Sequence, residues 1–145
     1  MTIDRQFQKS LSLEQIDDNA WGDPPADAAR LVRTVHQLRR KPIGTMQVED
    51  LRLLLLQQEG VAVLVPLALA QLEQNPLIEG DFYPGDLLTT VLRIPQPYWQ
   101  QHPEQFARMQ RITEEVEKLG DLNDHEAPHD DVWEQVNDFR RRVQV

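Results

Sequence analysis

Apolar and polar positions recur at helical spacing over much of this chain. The stretch "DAARLVRTVHQLRRK" ends in three cations, which suit the negative end of a helix dipole. Its apolar residues keep helical spacing: Leu31, Val32, Val35 and Leu38. We expect a helix here with Asp27 as its N-cap. Upstream, Ser12 is placed to cap a short helix, with Gln15 three residues further on.

Two apolar segments follow in the middle of the chain. "TMQVEDLRLLLLQQEG" predicts a helix that begins at Thr45 or Gln47 and is closed by Gly60. Leucines cover most of its circumference, which is typical of a central helix. "VAVLVPLALAQLEQN" contains strand-forming valines, but no partner strand is evident elsewhere. It therefore predicts a helix over about residues 62–74, with Pro66 near the first turn.

The second half of the chain predicts three further helices. One carries "DLLTTVLRI" with Asp86 as its N-cap or in its first turn, one runs from Pro103 to a stop at Gly120, and the last carries "DVWEQVNDFRRRVQV". Between them we expect a turn at "PQPYWQQHPEQ" and an acidic loop at "DLNDHEAPHDD". The whole pattern predicts an all-α fold: a single-domain helical bundle of about seven helices with short loops, spanning residues 11–145 after a loose N-terminus over residues 1–10.

The stretch "EGDFYPGDLL" contains Asp81 and Asp86, two carboxylates that could act as an acid/base pair. A structural interpretation accounts for more of its residues. The two glycines permit tight backbone geometry, the proline extends the residue before it, and Asp86 can cap the helix that follows. We expect a turn that leads into a helix, built from Glu79, Gly80, Asp81, Phe82, Tyr83, Pro84, Gly85 and Asp86.

A second loop is predicted at "DDNAWGDPPAD", which holds four acids around Trp21. An isolated tryptophan in such a loop either packs its ring onto the edge of the core or serves as an exposed binding anchor. We favour the packed arrangement.

The amino-acid composition restricts the class of molecule that this protein is expected to bind. There are 24 acids against 15 lysines and arginines, a net charge of −9. This balance argues against binding DNA or RNA and favours a basic protein partner. The chain has no cysteine, which excludes disulfides and thiolate sites and agrees with a reducing cytoplasm. Charged and polar residues interrupt the apolar stretch over residues 51–72, and no signal peptide is evident, so we expect no membrane association.

The remaining candidate chemistry lies near the C-terminus. Residues 121–138 hold seven acids and no lysine or arginine, with His125 and His129 among them. Histidines and carboxylates can bind a divalent cation, but the spacing matches neither an EF-hand nor a His-Glu-x-x-His helix. No nucleophile elbow or glycine-rich phosphate loop is present. We therefore expect no catalytic residue, metal or cofactor.

Several motifs together resemble one known family. They are "WGDPP", "VHQLRRKPIG", "EDLRLLLLQQEG" and "LVPLALAQLEQNPLIEGDFYPGDLLTTVLRIP". Their order and spacing are similar to those of contact-dependent growth inhibition (CDI) immunity proteins, the CdiI family, over about residues 11–105. The chain departs from the family at Gly60, Val61 and Ala62, where members often have Gly-Leu-Pro. Residues 121–145 match no part of the pattern.

The resemblance implies a cytoplasmic protein without catalytic activity. It would bind and neutralise the C-terminal toxin domain of a CdiA-type effector delivered by neighbouring cells. Many such toxins are nucleases, so we expect a basic partner domain. The candidate contact surfaces are residues 17–23 (the first loop) and residues 121–131 (the tail loop), and the alternative for both is a solvated acidic surface without a partner. Their candidate contact residues are Asp17, Asp18, Asp23, Asp121, Asp124, Glu126, Asp130 and Asp131.

Two other functions stay open from the sequence. One is a metal-dependent hydrolase that would use Asp121, Asp124, His125, Glu126 and His129. The other is a helical adaptor for some other basic protein.

Overall fold

The computed structural model describes residues 5–143, and side chains over residues 7–142. Over this range the chain forms α-helices and two 3-10 turns, with one isolated β-bridge between Glu79 and Pro84. The helices are α1 Arg5–Lys9, α2 Leu13–Ile16, α3 Arg30–Arg39, α4 Val48–Leu56, α5 Val61–Gln74, α6 Asp86–Leu92, α7 Gln96–Gln101, α8 Pro103–Lys118 and α9 His129–Val143. The 3-10 turns are Ile43–Thr45 and Leu122–His125.

The all-α expectation is confirmed for the described residues, with nine helices where about seven were predicted. One extra helix, α1, lies in the segment predicted to be a loose N-terminus. The other, α7, occupies the predicted turn. Its two prolines, Pro95 and Pro97, lie at the N-cap and in the first turn, where a missing N–H breaks no helical hydrogen bond. Trp99 then anchors α7 to the core by donating its indole N–H to the Ile94 carbonyl at 3.1 Å.

Helix boundaries followed the predicted caps only in part. Ser12 forms the predicted capping box with Gln15, and α8 begins at Pro103. Asp27 is not the N-cap of α3: it lies in a turn closed by a hydrogen bond from the Ala28 N–H to the Pro25 carbonyl, and α3 begins at Arg30. Gly60 is not the end of α4, because α4 stops at Leu56.

Gly60 instead precedes α5 as its N-cap, with φ of +61°. This left-handed conformation favours glycine, since a side chain would meet steric resistance there. A Cβ at this position would also lie 2.7 Å from Leu13 Cδ2, a buried side chain of α2. The glycine therefore allows α2 to pack closely against the start of α5.

The core lies around α5 and α6. All seven residues of α6 are buried, and α6 packs against α4, α5 and α9. The leucine-rich α4 is less enclosed than its composition predicts, because Leu56 is 45% exposed. The hydroxyls of Thr89 and Thr90 both donate to the Asp86 carbonyl, which satisfies these buried groups within α6. No helix in the described range is both long and apolar enough to cross a bilayer.

A matched pair of leucines tests this core assignment. Leu69 is fully buried on α5, whereas Leu56 on α4 is 45% exposed. We expect Leu69→Ala to lower the free energy of unfolding by about 2–5 kcal/mol, because it leaves a cavity. Leu56→Ala should cost less than about 1 kcal/mol. Urea denaturation of the two variants measures both values, and equal losses would contradict the assignment.

Candidate functional site

Residues 79–86 (the motif loop) fold around the carboxylate of Asp86, which is 2% exposed. Its Oδ1 accepts the Gly80 N–H at 2.7 Å, and its Oδ2 accepts the N–H groups of Phe82 and Tyr83 at 3.1 and 3.4 Å. The sequence predicted Asp86 either as the N-cap of the following helix or in its first turn; the structure places it in the first turn, and its carboxylate bonds the preceding loop rather than the N–H groups of the helix. Gly85 takes the N-cap position, so Asp86 is the first residue of α6 and its side chain turns back toward the preceding loop.

An ion pair on α4 supports the other side of the motif loop. Arg52 donates through Nε and Nη2 to the two oxygens of Glu49, both at 2.7 Å. Glu49 Oε1 also accepts the Asp81 N–H at 3.1 Å, and Arg52 Nε lies 4.0 Å from Asp86 Oδ2. Hydrogen bonding to Arg52 lowers the pKa of Glu49, and the same bond raises the pKa of Arg52. The loop backbone is thus held between two carboxylates and one guanidinium.

A side chain at Gly80 would displace the carboxylates that hold the loop. A Cβ there would lie 2.7 Å from Glu49 Oε1 and 3.0 Å from Asp86 Oδ2. Here the requirement for glycine comes from the close approach of the carboxylates rather than from a left-handed backbone.

The motif loop presents Phe82 outward. Phe82 is 68% exposed, and its ring centre lies 4.4 Å from the Arg52 guanidinium, a cation–π contact. The next residue turns inward, because the Tyr83 hydroxyl is 3.0 Å from the buried Thr89 hydroxyl. The result is an exposed aromatic side chain on an internally bonded loop.

The first loop is organised around a second buried arginine, Arg39, which is 2% exposed. Its Nη2 donates to both oxygens of Asp17, at 3.0 and 2.9 Å, and to the Asn19 carbonyl at 2.8 Å. Trp21 covers the guanidinium at 4.5 Å and meets the His36 ring edge-on at 5.0 Å. Trp21 keeps 38% of its surface exposed, so the ring is packed on a cation and its outer part faces solvent.

The three candidate acids of the first loop therefore differ in how free they are to pair with a cation of a partner protein. Asp17 is engaged by Arg39, and Asp23 lies 3.1 Å from Arg40 although its side chain is 91% exposed. Asp18 is exposed, makes no ion pair within the described residues, and has φ of +51°. Two of the three candidate contact acids here already balance cations of this chain.

The acids of the tail loop are largely uncompensated. Asp121 accepts the Asn123 N–H at 3.0 Å and thereby caps the short 3-10 turn. The other four candidate acids are exposed and form no ion pair with any described residue: Asp124, Glu126, Asp130 and Asp131. Buried Leu122 and Ala127 anchor the loop to the core. The prediction of a loop over residues 121–131 is therefore correct only in part, because residues 122–125 form a 3-10 turn and Asp130 and Asp131 lie in the first turn of α9, where the helix dipole favours acids. The segment is an anchored surface whose negative charge is balanced by no described lysine or arginine.

The residues of the hydrolase hypothesis do not converge. His129 Nδ1 accepts the Leu122 N–H at 3.0 Å, while His125 Nε2–H donates to the Leu119 carbonyl at 3.3 Å. Over the described part of the chain, no three histidine or carboxylate side chains are grouped so as to hold a metal ion. The two histidines serve as partners of backbone groups instead.

The structure brings the motif loop and the tail loop together at an open cleft of about 500 Å³. Its lining residues are Tyr83, Asn123, Glu126, Ala127, Pro128 and Asp131. Close packing of Gly85 against Val132 joins the two elements, since a Cβ on Gly85 would lie 3.4 Å from Val132 Cγ2. The first loop makes its contacts elsewhere, with Arg39 and Arg40.

Sequence reasoning missed both buried arginines. The pattern places Arg39 at the C-terminal end of a helix, where a cation suits the dipole, and Arg52 among the polar residues that interrupt the apolar stretch over residues 51–72; it predicts burial for neither. A signal for Arg52 was present: Glu49 lies three residues before it, on the same helical face. For Arg39 the signal in the sequence was the group of acids in the first loop, which precedes its helix.

Among the described residues, two buried arginines fix two loops, and the carboxylates that form no ion pair lie at the surface. These features define the class of the protein, a small helical protein suited to binding another protein. Residues 15–109, about two thirds of the chain, match the family model of CDI immunity proteins. The chain belongs to this family, which confirms the resemblance seen in its motifs and supports a role in immunity. No curated protein and no solved structure gives a significant match. The matched region contains both arginine-centred loops and stops before the tail loop.

Two neighbouring aspartates test the role of the carboxylate at the centre of the motif loop. Asp86→Asn replaces an oxygen that accepts backbone N–H groups with an amide donor, and we expect a loss of about 1.5–3 kcal/mol in the free energy of unfolding. Asp81→Asn is the control, because Asp81 is exposed and contributes only its backbone N–H to the loop. Equal stability of the two variants in urea would show that Asp86 does not organise the loop.

Acidification tests the ion pair on α4. The pKa of Glu49 is below its ordinary value of 4.5 in the folded protein, so its stabilising effect is complete above that value and is lost as the pH falls through the folded-state pKa. We expect the stability difference between wild type and Glu49→Gln to be largest at about pH 7 and to shrink toward about pH 3. Urea midpoints at several pH values measure this difference, and a constant difference would refute the pairing.

Proposed function

We propose that this protein protects its cell by binding and neutralising the C-terminal toxin domain of a CdiA-type effector in the cytosol. The observation that carries this proposal is the match of residues 15–109 to CDI immunity proteins. In this proposal the protein acts by occupying a surface of the toxin and performs no reaction of its own.

The charge distribution supports a basic partner. The net charge is −9, and residues 121–138 contribute seven acids without a lysine or arginine. Arg39 and Arg40 engage Asp17 and Asp23 of the first loop, whereas four exposed acids of the tail loop form no ion pair among the described residues: Asp124, Glu126, Asp130 and Asp131. We therefore rank the tail loop above the first loop as the contact surface. Charge complementarity of this kind speeds association and excludes acidic competitors.

The class of partner that best fits this acidic surface is a nuclease domain. A nuclease needs a basic groove to hold the phosphates of its substrate, and an acidic protein can occupy that groove sterically and electrostatically. We expect a complex that buries about 1,600 Å² or more, the size of a standard stable interface. Its affinity should be nanomolar or tighter.

Growth rescue tests the proposed function. The toxin domain to use is the C-terminal domain of the CdiA-type effector of the same cell, which we expect to be encoded immediately upstream of this chain's gene. We expect that domain to arrest growth when expressed alone and to be harmless when co-expressed with this protein, because the complex blocks its activity. Continued arrest despite expression of the folded protein would contradict the proposal. An unrelated toxin domain of similar charge is the control for specificity.

Charge reversal tests the tail loop as the contact surface. The variant replaces Asp124, Glu126, Asp130 and Asp131 with lysine. The charge at each position changes from −1 to +1, so the net charge changes from −9 to −1. Association with the toxin domain should slow by at least about tenfold at low salt, and its dependence on salt should flatten.

A smaller variant controls for overall charge in the same kinetic measurement. Asp27→Lys with Glu104→Lys reverses two exposed acids outside the tail loop. Per reversed charge, this control should slow association much less. If the tail-loop variant associates at the wild-type rate, the tail loop is not part of the interface.

A further inference from the structure

We propose that Phe82, together with the cleft between the motif loop and the tail loop, is the docking surface for the toxin domain, with Phe82 as its apolar anchor. The occupant is a basic protein surface that covers the Phe82 ring and places a lysine or arginine in the cleft. This inference rests on the proposed function and deepens it, because it assigns the contact to a defined part of the molecule.

The exposure of Phe82 is the first observation. At 68% it exceeds the exposure of the other large apolar side chains described, such as Phe7 at 59% and Leu56 at 45%. An aromatic side chain left in water at the tip of a loop offers a large apolar area to a partner. Aromatic residues are also over-represented among the side chains that carry most of the binding energy at interfaces.

The rigidity of the motif loop is the second observation. The backbone N–H groups of Gly80, Phe82 and Tyr83 are all held by Asp86, and the N–H of Asp81 is held by Glu49. Phe82 therefore loses little backbone freedom when a partner covers it. Such pre-organisation increases affinity because less conformational entropy is lost on binding.

Charge at the cleft identifies the occupant. Glu126 and Asp131 line the cleft, no lysine or arginine lines it, and neither acid pairs with a cation among the described residues. Tyr83, the residue after Phe82, lines the same cleft and so joins the aromatic tip to the acidic wall. A neutral or acidic partner would leave these carboxylates uncompensated, whereas a lysine or arginine side chain would balance them.

Trp21, the exposed aromatic residue of the first loop, does not combine a large exposed ring with unpaired acids beside it. Trp21 is 38% exposed and already covers Arg39 and His36. The acids beside it, Asp17 and Asp23, are engaged by this chain's own arginines. The first loop therefore offers a partner less apolar area and less unbalanced charge than the surface at Phe82.

A pair of phenylalanine variants tests the anchor. The probe is the purified C-terminal domain of the effector encoded immediately upstream, and binding is measured by titration calorimetry. Phe82→Ala should weaken binding by about 30-fold or more. Phe7→Ala removes an equally large, similarly exposed ring from another part of the chain and should change affinity by less than about threefold. Equal affinities of the two variants would overturn the inference.

A second set of variants tests the cleft, and this test stays valid even if Phe82→Ala does not fold. Glu126→Asn with Asp131→Asn neutralises the cleft, and asparagine tolerates the left-handed backbone of Glu126, whose φ is +63°. The control is Asp27→Asn with Glu104→Gln, which removes the same charge from other exposed positions. We expect association at low salt to slow by about fivefold or more for the cleft pair and by less than about twofold for the control.

The outcomes separate the two proposals. If wild type does not bind the toxin domain, both the proposed function and this surface are rejected. If wild type binds tightly but Phe82→Ala and the cleft pair behave as their controls do, only this surface is rejected. Weaker binding by Phe82→Ala together with slower association of the cleft pair, whose melting temperature is unchanged, supports the docking surface.

Discussion

The balance of charge around Arg52 is the constraint on which the motif loop depends. This buried guanidinium is bonded to Glu49 and lies close to Asp86, and the two carboxylates hold the backbone of the loop through four N–H groups. A buried charge without partners is strongly unfavourable, so the contacts of Arg52 with these carboxylates favour this conformation of the loop. The conformation of the loop, the glycine at position 80 and the outward position of Phe82 all follow from it.

The periodic parts of the fold were predictable from sequence, and the ion pairs were not. Helix spacing and local caps located α2, α5 and α8 because their signals lie within a few residues. The bonds from Arg39 to Asp17 and from Glu49 to the Asp81 backbone join residues 22 and 32 positions apart, which no local pattern specifies. For the same reason the candidate site was predictable only as a set of acidic loops, since the contact of Phe82 with Arg52 also joins residues far apart in the sequence.

The structure separates acids that build the fold from acids that face solvent. Glu49, Asp86 and Asp17 each hold an arginine or a loop backbone, and all three lie within the region that matches the family of CDI immunity proteins. The tail-loop acids lie beyond that region; Asp121 caps the short 3-10 turn, and the other four form no ion pair with a described residue. This division fits a shared scaffold that presents a more variable binding surface, with the motif loop at the boundary between the two.

The most direct test of the account is amide hydrogen exchange of the free protein, read residue by residue by NMR. If Asp86 and Glu49 hold the motif loop, the N–H groups of Gly80, Asp81 and Phe82 are protected about 100-fold or more relative to an unstructured peptide. The Asp18 N–H in the first loop serves as a solvent-exposed comparison. Exchange of the motif-loop amides at unstructured rates in the folded protein would contradict the claim that buried charges fix this loop.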